Sequence, residues 1–229
     1  MADRFISAII VAAGDSTRMG FKMSKQLITL NGHAAIEYTL TAFQDCPMID
    51  EIIVVARACD IDEIAQVAFN FRKVSSITSG GATRTLSVKR GVKAADRRVT
   101  HYVIHDGARI LITPRQIETV LNAAFEYGAA APGTPVTDTI KKVDENGLIL
   151  STPDRSALWA VQTPQVFEKE LYLRAMNHAV ENELAVTDDC SMVEAIGKKV
   201  YLIRGEYSNI KLTTPVDLTL AEALLKKNK

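Results

Sequence analysis

The chain has 229 residues, of which 47% are hydrophobic and 24% charged, a mixture typical of a globular protein with an ordinary core. Its 27 lysines and arginines balance its 27 aspartates and glutamates, and this net charge of zero gives no basis for binding nucleic acid or an acidic membrane. Three scattered cysteines without a Cys-x-x-Cys pair exclude a disulfide scaffold and predict a cytoplasmic protein. No apolar run approaches the ~18 residues that a membrane span needs.

The first half of the chain predicts alternating strands and helices. Apolar runs predict buried strands at 5–11, 51–56, 74–78 and 101–104. Segments with helical spacing of apolar residues follow them, at 36–43, 61–69, 83–95 and 117–125. The last of these helices begins at a capping box with proline at its first position, 113–116. Such βα units predict an α/β, Rossmann-like, mostly parallel sheet with helices on both faces.

The alternation breaks at a predicted β-hairpin. Residues 139–143 and 148–151 flank an Asp-Glu-Asn-Gly turn, and Asn-Gly is a strong hairpin signal. The pattern alone supports a surface hairpin and an inserted arm equally. Further helices at 172–180, from 187 and from 215, and a strand at 199–204, complete the predicted elements. We therefore expect a single domain over 1–229 with a β-arm at about 137–156.

The loop after the first strand, residues 12–26, is the first candidate for chemistry. Ligands of open α/β sheets bind at the carboxyl ends of the strands. The loop combines small residues with three basic residues and one acidic residue, a composition typical of a phosphate-binding backbone concavity. It matches neither the P-loop nor the dinucleotide fingerprint. An ordinary solvated turn is the alternative.

Segments spread over almost the whole chain carry a more specific resemblance. They occur at 12–14, 18–20, 25–26, 80–88, 105–109, 135–141, 154–155, 158–165, 187–189 and 209–211. In this order they resemble the 2-C-methyl-D-erythritol 4-phosphate cytidylyltransferase family, which has a nucleotidyltransferase fold. The resemblance implies transfer of a cytidylyl group from CTP to a small polyol phosphate, 2-C-methyl-D-erythritol 4-phosphate, with Mg²⁺ and release of pyrophosphate, in non-mevalonate isoprenoid precursor synthesis. It also implies a homodimer in which the hairpin reaches the partner.

The resemblance assigns roles to particular residues. The implied catalytic residues are Arg18 and Lys25, which stabilise the transition state, and Arg155 and Lys211, which position the incoming phosphate. The implied nucleotide-binding residues are Ala12, Ala13, Gly14, Gly81, Arg84, Ser87 and Gly107. The implied substrate-binding residues are Asp106, Arg109, Thr139, Thr163 and Thr187, with Asp106 also the candidate metal ligand.

Several of these residues have plainer interpretations. The Gly80-Gly81 turn is favoured as a helix cap on pattern alone, and an aspartate at a strand end such as Asp106 is often a helix cap. His105 is expected to be a structural, hydrogen-bonded histidine rather than a base. Trp159 is expected in core packing rather than under a cytosine. Cys190 is not expected to be a nucleophile, because no base is apparent beside it.

Three positions depart from the family pattern, Ser16, Gly107 and Ile110, and none of them removes a charge. The sequence leaves two alternative functions open. Ribitol-5-phosphate cytidylyltransferase has overlapping motifs, although the segments 135–141 and 154–159 fit the 2-C-methyl-D-erythritol 4-phosphate cytidylyltransferase family better. A catalytically inactive nucleotide sensor is the alternative of another class, and the presence of all four implied catalytic cations argues against it.

Overall fold

A computed structural model of the protein describes residues 4–14 and 24–227. The strands are β1 (Ile6–Ala12), β2 (Thr29–Leu30), β3 (His33–Ala34), β4 (Glu51–Ala56), β5 (Val74–Ser79), β6 (His101–Asp106), β7 (Ala129–Pro135), β8 (Lys142–Val143), β9 (Ile149–Ser151), β10 (Trp159–Val161), β11 (Gln165–Glu168) and β12 (Tyr201–Arg204). The helices are α1 (Ala35–Asp45), α2 (Ile61–Ala68), α3 (Arg84–Ala94), α4 (Pro114–Tyr127), α5 (Lys169–Glu181), α6 (Asp189–Ala195) and α7 (Pro215–Lys227).

Strand β1 lies at the centre of the main sheet and pairs in parallel with β4 and β6. Its side chains alternate between two apolar clusters, with Ile10 in one and Ile9 in the other. Helices α1, α2 and α4 cover the first cluster, while α3, α5 and α6 cover the second. Because both faces are covered, the strand consists almost entirely of apolar residues. The predicted α/β sheet with helices on both faces is confirmed.

The sheet has antiparallel strands that the sequence pattern did not predict. Its order is β10-β7-β11-β6-β1-β4-β5, and β12 pairs in parallel with β7. Strand β11 follows a cis peptide bond at Thr163–Pro164 and runs antiparallel to both β6 and β7. The sheet is therefore mixed on one side of β6 and parallel on the other.

The predicted hairpin is present and forms a separate two-stranded sheet of β8 and β9. The Asp144 carboxylate accepts hydrogen bonds from the Asn146 and Leu148 amides, and Gly147 has a φ of +84°. These contacts explain why the turn needs Asp and Gly at these positions. The prediction of core packing for Trp159 is wrong: the indole lies on the edge strand β10 and is 36% exposed.

A third, smaller apolar cluster lies under the C-terminal helix. Leu212 and Ala221 pack there with Ala108 and Ile110, and the Leu212 amide donates to the Ala108 carbonyl at 2.9 Å. This packing brings the segment before α7 to the carboxyl end of β6. Among the described residues, none of the helices combines the length and the apolar character that a membrane crossing requires.

Candidate active site

A cleft of about 440 Å³ lies at the carboxyl ends of β1, β5 and β6. Its described lining residues are Val11, Ala13, Gly14, Lys25, Gln26, Gly81, Ala82, Thr83, Arg84, Ser87, Asp106, Ala108 and Lys211. Parallel strands place the loops that follow them at one edge of a sheet, and these loops form the cleft. Segments from 11 to 211 in the chain therefore meet in one place.

The loops after β1 and β5 touch through backbone and small side chains. A Cβ at Gly80 would lie 2.3 Å from the Ala13 Cβ, so only glycine permits this approach. The Ser87 hydroxyl accepts a hydrogen bond from the Gly81 amide at 3.0 Å and donates to the Thr83 carbonyl at 2.9 Å. Thr83, rather than the glycine pair, caps helix α3 by accepting from the Leu86 amide. The Gly-Gly cap interpretation is therefore wrong: Gly80 packs against Ala13, and Gly81 lines the cleft.

Asp106, the last residue of β6, lies among three cationic side chains. Its carboxylate is 2.6 Å from the Lys211 Nζ, 3.5 Å from an Arg84 guanidinium nitrogen and 4.0 Å from the Arg109 Nε. Burial alone would raise the pKa of the Asp106 carboxyl, but Lys211 and Arg84 hold that pKa well below its ordinary value. Asp106 is therefore ionised and accepts hydrogen bonds in the cleft, which is a different role from the helix cap considered above.

Arg84 bridges two carboxylates. One guanidinium nitrogen lies 2.6 Å from an Asp189 carboxylate oxygen, while the other faces Asp106. Burial lowers the pKa of Arg84, but the two carboxylates raise it and the net shift is upward. The guanidinium is thus a fixed positive charge in the cleft wall.

Lys25 and Arg109 are held by backbone carbonyl groups. The Lys25 ammonium donates to the Leu212 carbonyl at 3.2 Å and is almost buried. The Arg109 guanidinium donates to the Asn209 carbonyl at 2.7 Å and lies behind Asp106 rather than in the cleft lining. Both contacts fasten the 209–212 segment, which carries Lys211, to the segments that follow β1 and β6.

His105 is fully buried behind the cleft. Its Nδ1 lies 3.1 Å from the Thr163 hydroxyl, which accepts a hydrogen bond from the Asp106 amide, and its Nε2 lies 3.3 Å from the Arg109 carbonyl. Burial lowers the pKa of His105 to about 3, so the imidazole is neutral near pH 7. The expectation of a structural, hydrogen-bonded histidine is confirmed.

Cys190 is a buried free thiol next to Asp189. Burial raises the pKa of this thiol, and the neighbouring carboxylates of Asp188 and Asp189 raise it further. A nucleophile needs a thiolate, so this environment agrees with the expectation that Cys190 is inert.

The predicted site residues fall into three groups. Those that line the cleft are Ala13, Gly14, Lys25, Gly81, Arg84, Ser87, Asp106 and Lys211. Four predicted residues lie near the cleft without lining it. Ala12 ends β1, Gly107 and Arg109 follow β6, and the Thr163 hydroxyl accepts a hydrogen bond from the last residue of β6. Exposed residues outside the described lining are Thr139, Arg155 and Thr187. Arg18 and Ser16 lie outside the described residues.

The roles of these residues stay predictions, and the structure adds candidates to them. Gln26 and Thr83 line the cleft, and the Gln26 side-chain oxygen is buried without a hydrogen-bond partner among the described residues. Asp189 holds Arg84 from behind. Gln26 and Asp189 belong to segments that carried the family resemblance, and this was the signal available in the sequence.

The described residues contain no group of three or more His, Cys, Asp or Glu side chains suited to a metal ion. Asp106 is the single carboxylate in the described cleft lining. Mg²⁺ commonly binds through one or two carboxylates together with substrate phosphates and water. The donor set is therefore compatible with an ion that arrives with a nucleotide, and not with an all-protein metal cage.

Comparison with known proteins gives a consistent result. A family model described as IspD, 2-C-methyl-D-erythritol 4-phosphate cytidylyltransferase, matches residues 6–227. A relative of that name from Caldanaerobacter subterraneus subsp. tengcongensis is 45% identical over 97% of this chain and 99% of its own length. Another, from Clostridium acetobutylicum, is 44% identical over 96% of this chain and 97% of its own length.

Solved structures agree with the sequence relatives. The 4-diphosphocytidyl-2C-methyl-D-erythritol synthase of Anaerococcus prevotii superposes with a TM-score of 0.87 at 34% identity, over 97% of this chain and 96% of that one. The 2-C-methyl-D-erythritol 4-phosphate cytidylyltransferase of Thermus thermophilus gives a TM-score of 0.79 at 34% identity, over 97% and 99% of the two chains. The similarity covers the cleft and the hairpin alike.

Proposed function

The chain belongs to the 2-C-methyl-D-erythritol 4-phosphate cytidylyltransferase family, and from this premise we propose the reaction of its cleft. It transfers the cytidylyl group of CTP to 2-C-methyl-D-erythritol 4-phosphate and releases pyrophosphate, in isoprenoid precursor synthesis by the non-mevalonate route. The observation that carries the proposal is the cleft in which Lys25, Arg84 and Lys211 converge, in a chain that the family matches almost from end to end. The relatives named above favour this substrate over ribitol 5-phosphate.

The chemistry asks for positioning and charge rather than for a protein nucleophile. The phosphate of the polyol substrate is already an anion, and it attacks the α-phosphorus of CTP while pyrophosphate leaves. Repulsion between the two phosphate groups is the main electrostatic obstacle. Lys25, a nearly buried lining residue of the cleft, supplies a preorganised positive charge near the phosphates, and such a group stabilises the charge that develops in the transition state.

The second substrate fits the Asp106 side of the cleft. An ionised carboxylate accepts hydrogen bonds only, which suits the hydroxyl groups of a polyol. The Lys211 ammonium, 41% exposed and 2.6 Å from Asp106, is available to a phosphate at the cleft mouth. These two groups together offer an acceptor for hydroxyls beside a cation for phosphate.

A Mg²⁺ ion is part of the proposal. Asp106 and the phosphate oxygens of CTP would hold it, and the ion would neutralise charge on the triphosphate. Lys211 already contacts Asp106, so the metal and the ammonium compete for one carboxylate unless the ion is held by phosphates alone.

We propose that the protein is a homodimer built through the hairpin arm. Leu148, Ile149 and Leu150 are each more than half exposed, an unusual concentration of apolar surface on one short hairpin. Arg155 is exposed as well, and its guanidinium donates to the Thr137 carbonyl at 2.7 Å within the arm base. When a second copy covers this surface, Arg155 and Thr139 of one subunit would approach the cleft of the other subunit. A cytoplasmic location is also proposed, supported by the three free cysteines.

One experiment tests the reaction. The protein is incubated with Mg²⁺, each of the four nucleoside triphosphates and either 2-C-methyl-D-erythritol 4-phosphate or ribitol 5-phosphate, and pyrophosphate release is followed. We expect turnover with CTP and the methylerythritol substrate. Turnover with ribitol 5-phosphate alone would contradict the assignment, and binding of CTP without turnover would favour the sensor.

A second experiment tests the arm. Leu148→Asp places a charge on the most exposed apolar residue of the hairpin, and we expect sedimentation to show a shift from dimer to monomer with a loss of turnover. Phe69→Asp is the matched control, because Phe69 is 87% exposed on another part of the surface. A wild-type monomer with full activity would rule out the cross-subunit arrangement.

A further inference from the structure

The reaction described above leaves one fully buried charge without a role. Asp189, the first residue of α6, is 0% exposed, yet its carboxylate lies 2.6 Å from the Arg84 guanidinium at the cleft. Burial of a carboxylate is strongly unfavourable unless partners compensate it, so such a residue needs a reason to be there. The two residues are 105 positions apart in the chain and meet only in the folded protein.

The Asp189 carboxylate is held on both oxygens. One accepts the Tyr172 hydroxyl at 2.5 Å, and the other accepts the Arg84 guanidinium at 2.6 Å. Its backbone amide donates to the Gln165 side-chain oxygen at 3.0 Å, which fixes the start of α6 against β11. The carboxylate therefore has a defined position before any ligand arrives.

Arg84 receives its orientation from this anchor. With one nitrogen bound to Asp189, the guanidinium fork can offer its other nitrogen to Asp106 only at 3.5 Å, a weak contact. Asp106 is in turn bound by Lys211 at 2.6 Å. A guanidinium without the anchor is free to form a bidentate pair with Asp106, since the fork matches a carboxylate in this way. Such a pair would displace Lys211 and withdraw the arginine from the nucleotide.

We propose that Asp189 is a positioning residue for cytidylyl transfer, which acts by holding Arg84 in the cleft wall and away from Asp106. The inference rests on the proposed function and on the nucleotide-binding role that the family resemblance implies for Arg84. Tyr172 supports it by fixing the second oxygen of the carboxylate. A purely structural Asp189 would instead stabilise the contact between α6 and the sheet and leave the kinetics of the folded enzyme unchanged.

A double-mutant cycle separates the two roles. Asp189→Asn keeps the shape and removes the charge, and we expect at least about a tenfold fall in kcat/KM for CTP at saturating polyol phosphate. Arg84→Ala removes the group on which the anchor acts. In the Arg84→Ala background, Asp189→Asn should cause no further fall, because the anchor has nothing left to hold. Losses that multiply in the double variant would overturn the proposal, as would an unchanged kcat/KM in Asp189→Asn.

The control and a second route keep the test decisive. Glu51→Gln also replaces a buried carboxylate by an amide, but Glu51 bonds to Ser7 and Ser75 at the opposite end of the strands. We expect it to lower the thermal midpoint without changing kcat/KM. If Asp189→Asn does not fold, Tyr172→Phe replaces it in the same cycle, with a smaller fall that again disappears in the Arg84→Ala background. An unchanged kcat/KM in Tyr172→Phe would then overturn the proposal.

Failure of the proposed function is recognised separately. If the wild-type protein shows no turnover, the same cycle is read from calorimetric titration with CTP, where Asp189→Asn should weaken binding about tenfold and only when Arg84 is present. Equal CTP affinities in wild type and Asp189→Asn would refute the positioning role. Wild-type turnover with an unchanged Asp189→Asn variant would refute the positioning role alone.

Discussion

The buried imidazole of His105 links the stability of the fold to pH. Burial lowers the pKa of His105 to about 3, whereas an unfolded histidine titrates near 6.5. As the pH falls below ~6.5, His105 becomes protonated in the unfolded chain but stays neutral in the folded one. The free energy of unfolding is therefore at its full value above pH ~6.5 and decreases progressively down to pH ~3. At pH 5, which is ~1.5 units below the pKa of the unfolded histidine, the free energy of unfolding has fallen by ~2 kcal/mol. For a chain of this length that corresponds to roughly 4–8 °C in thermal midpoint.

The test compares urea unfolding of the wild type and His105→Gln at intervals between pH 7.5 and 5. We expect the wild type to lose ~2 kcal/mol more than the variant across this range, although the variant is less stable at pH 7.5. His101, whose pKa is also lowered by burial, is present in both proteins and cancels. Parallel pH profiles for the wild type and His105→Gln would refute the reasoning.

Three further predictions concern the cleft directly. Lys25→Ala should lower kcat by about a hundredfold and change the affinity for CTP much less. Pre-steady-state kinetics measures the first quantity and a separate CTP titration the second, and a fall in affinity alone would contradict this expectation. Gly80→Ala places a Cβ 2.3 Å from the Ala13 Cβ and 3.0 Å from the Ser87 Oγ. We therefore expect a raised KM for CTP and a loss of ~1–3 kcal/mol in the free energy of unfolding. If neither value changes, the loops after β1 and β5 do not meet as described. Chelation of divalent cations should abolish pyrophosphate release and added Mg²⁺ should restore it, whereas turnover that survives chelation would remove the metal from the proposal.

The parallel half of the fold was predictable because its signals are local. Strands β1 and β4 are continuous apolar runs between helices with an apolar face, and both faces of these strands are buried. The capping box at the start of α4 is present as predicted, with Thr113 and Gln116 bonded reciprocally. The hairpin was predictable from its Asn-Gly turn. In each case a few neighbouring residues carry the conformational preference.

The antiparallel part was not predictable in this way. Strand β7 reads Ala-Ala-Ala-Pro-Gly-Thr-Pro, which lacks β-branched and aromatic residues except one threonine and contains two prolines. It is a strand because β10, β11 and β12 all pair with it. Strand β11 has only four residues, too few for a periodic pattern to stand out. Tertiary pairing decides both strands, and a single sequence does not contain that information.

In the candidate site too, the sequence predicted individual residues but not their tertiary contacts. The resemblance identified Arg84, Asp106 and Lys211 individually, but not the contacts between them, because each contact joins segments far apart in the chain. The anchor at Asp189 was likewise inside a recognised segment and still had no role until Arg84 was placed beside it. Residue types at strand ends predict a charged cleft, whereas the partner of each charge is set by packing.

The net charge of zero is compatible, for a structural reason, with the proposed binding of two phosphorylated substrates in the cleft. Lys211 and Arg84 are each paired with a carboxylate, Asp106 and Asp189, so the cationic side chains are held in place at little cost in mutual repulsion. The carboxylates differ in access: Asp189 is fully buried, whereas Asp106 lines the cleft. An incoming phosphate therefore competes with a carboxylate for Lys211 but not for the anchored end of Arg84. We therefore expect the cleft to favour a dianionic phosphate over a weaker anion, since the ligand must outcompete the Lys211–Asp106 ion pair before it can engage both Lys211 and Arg84.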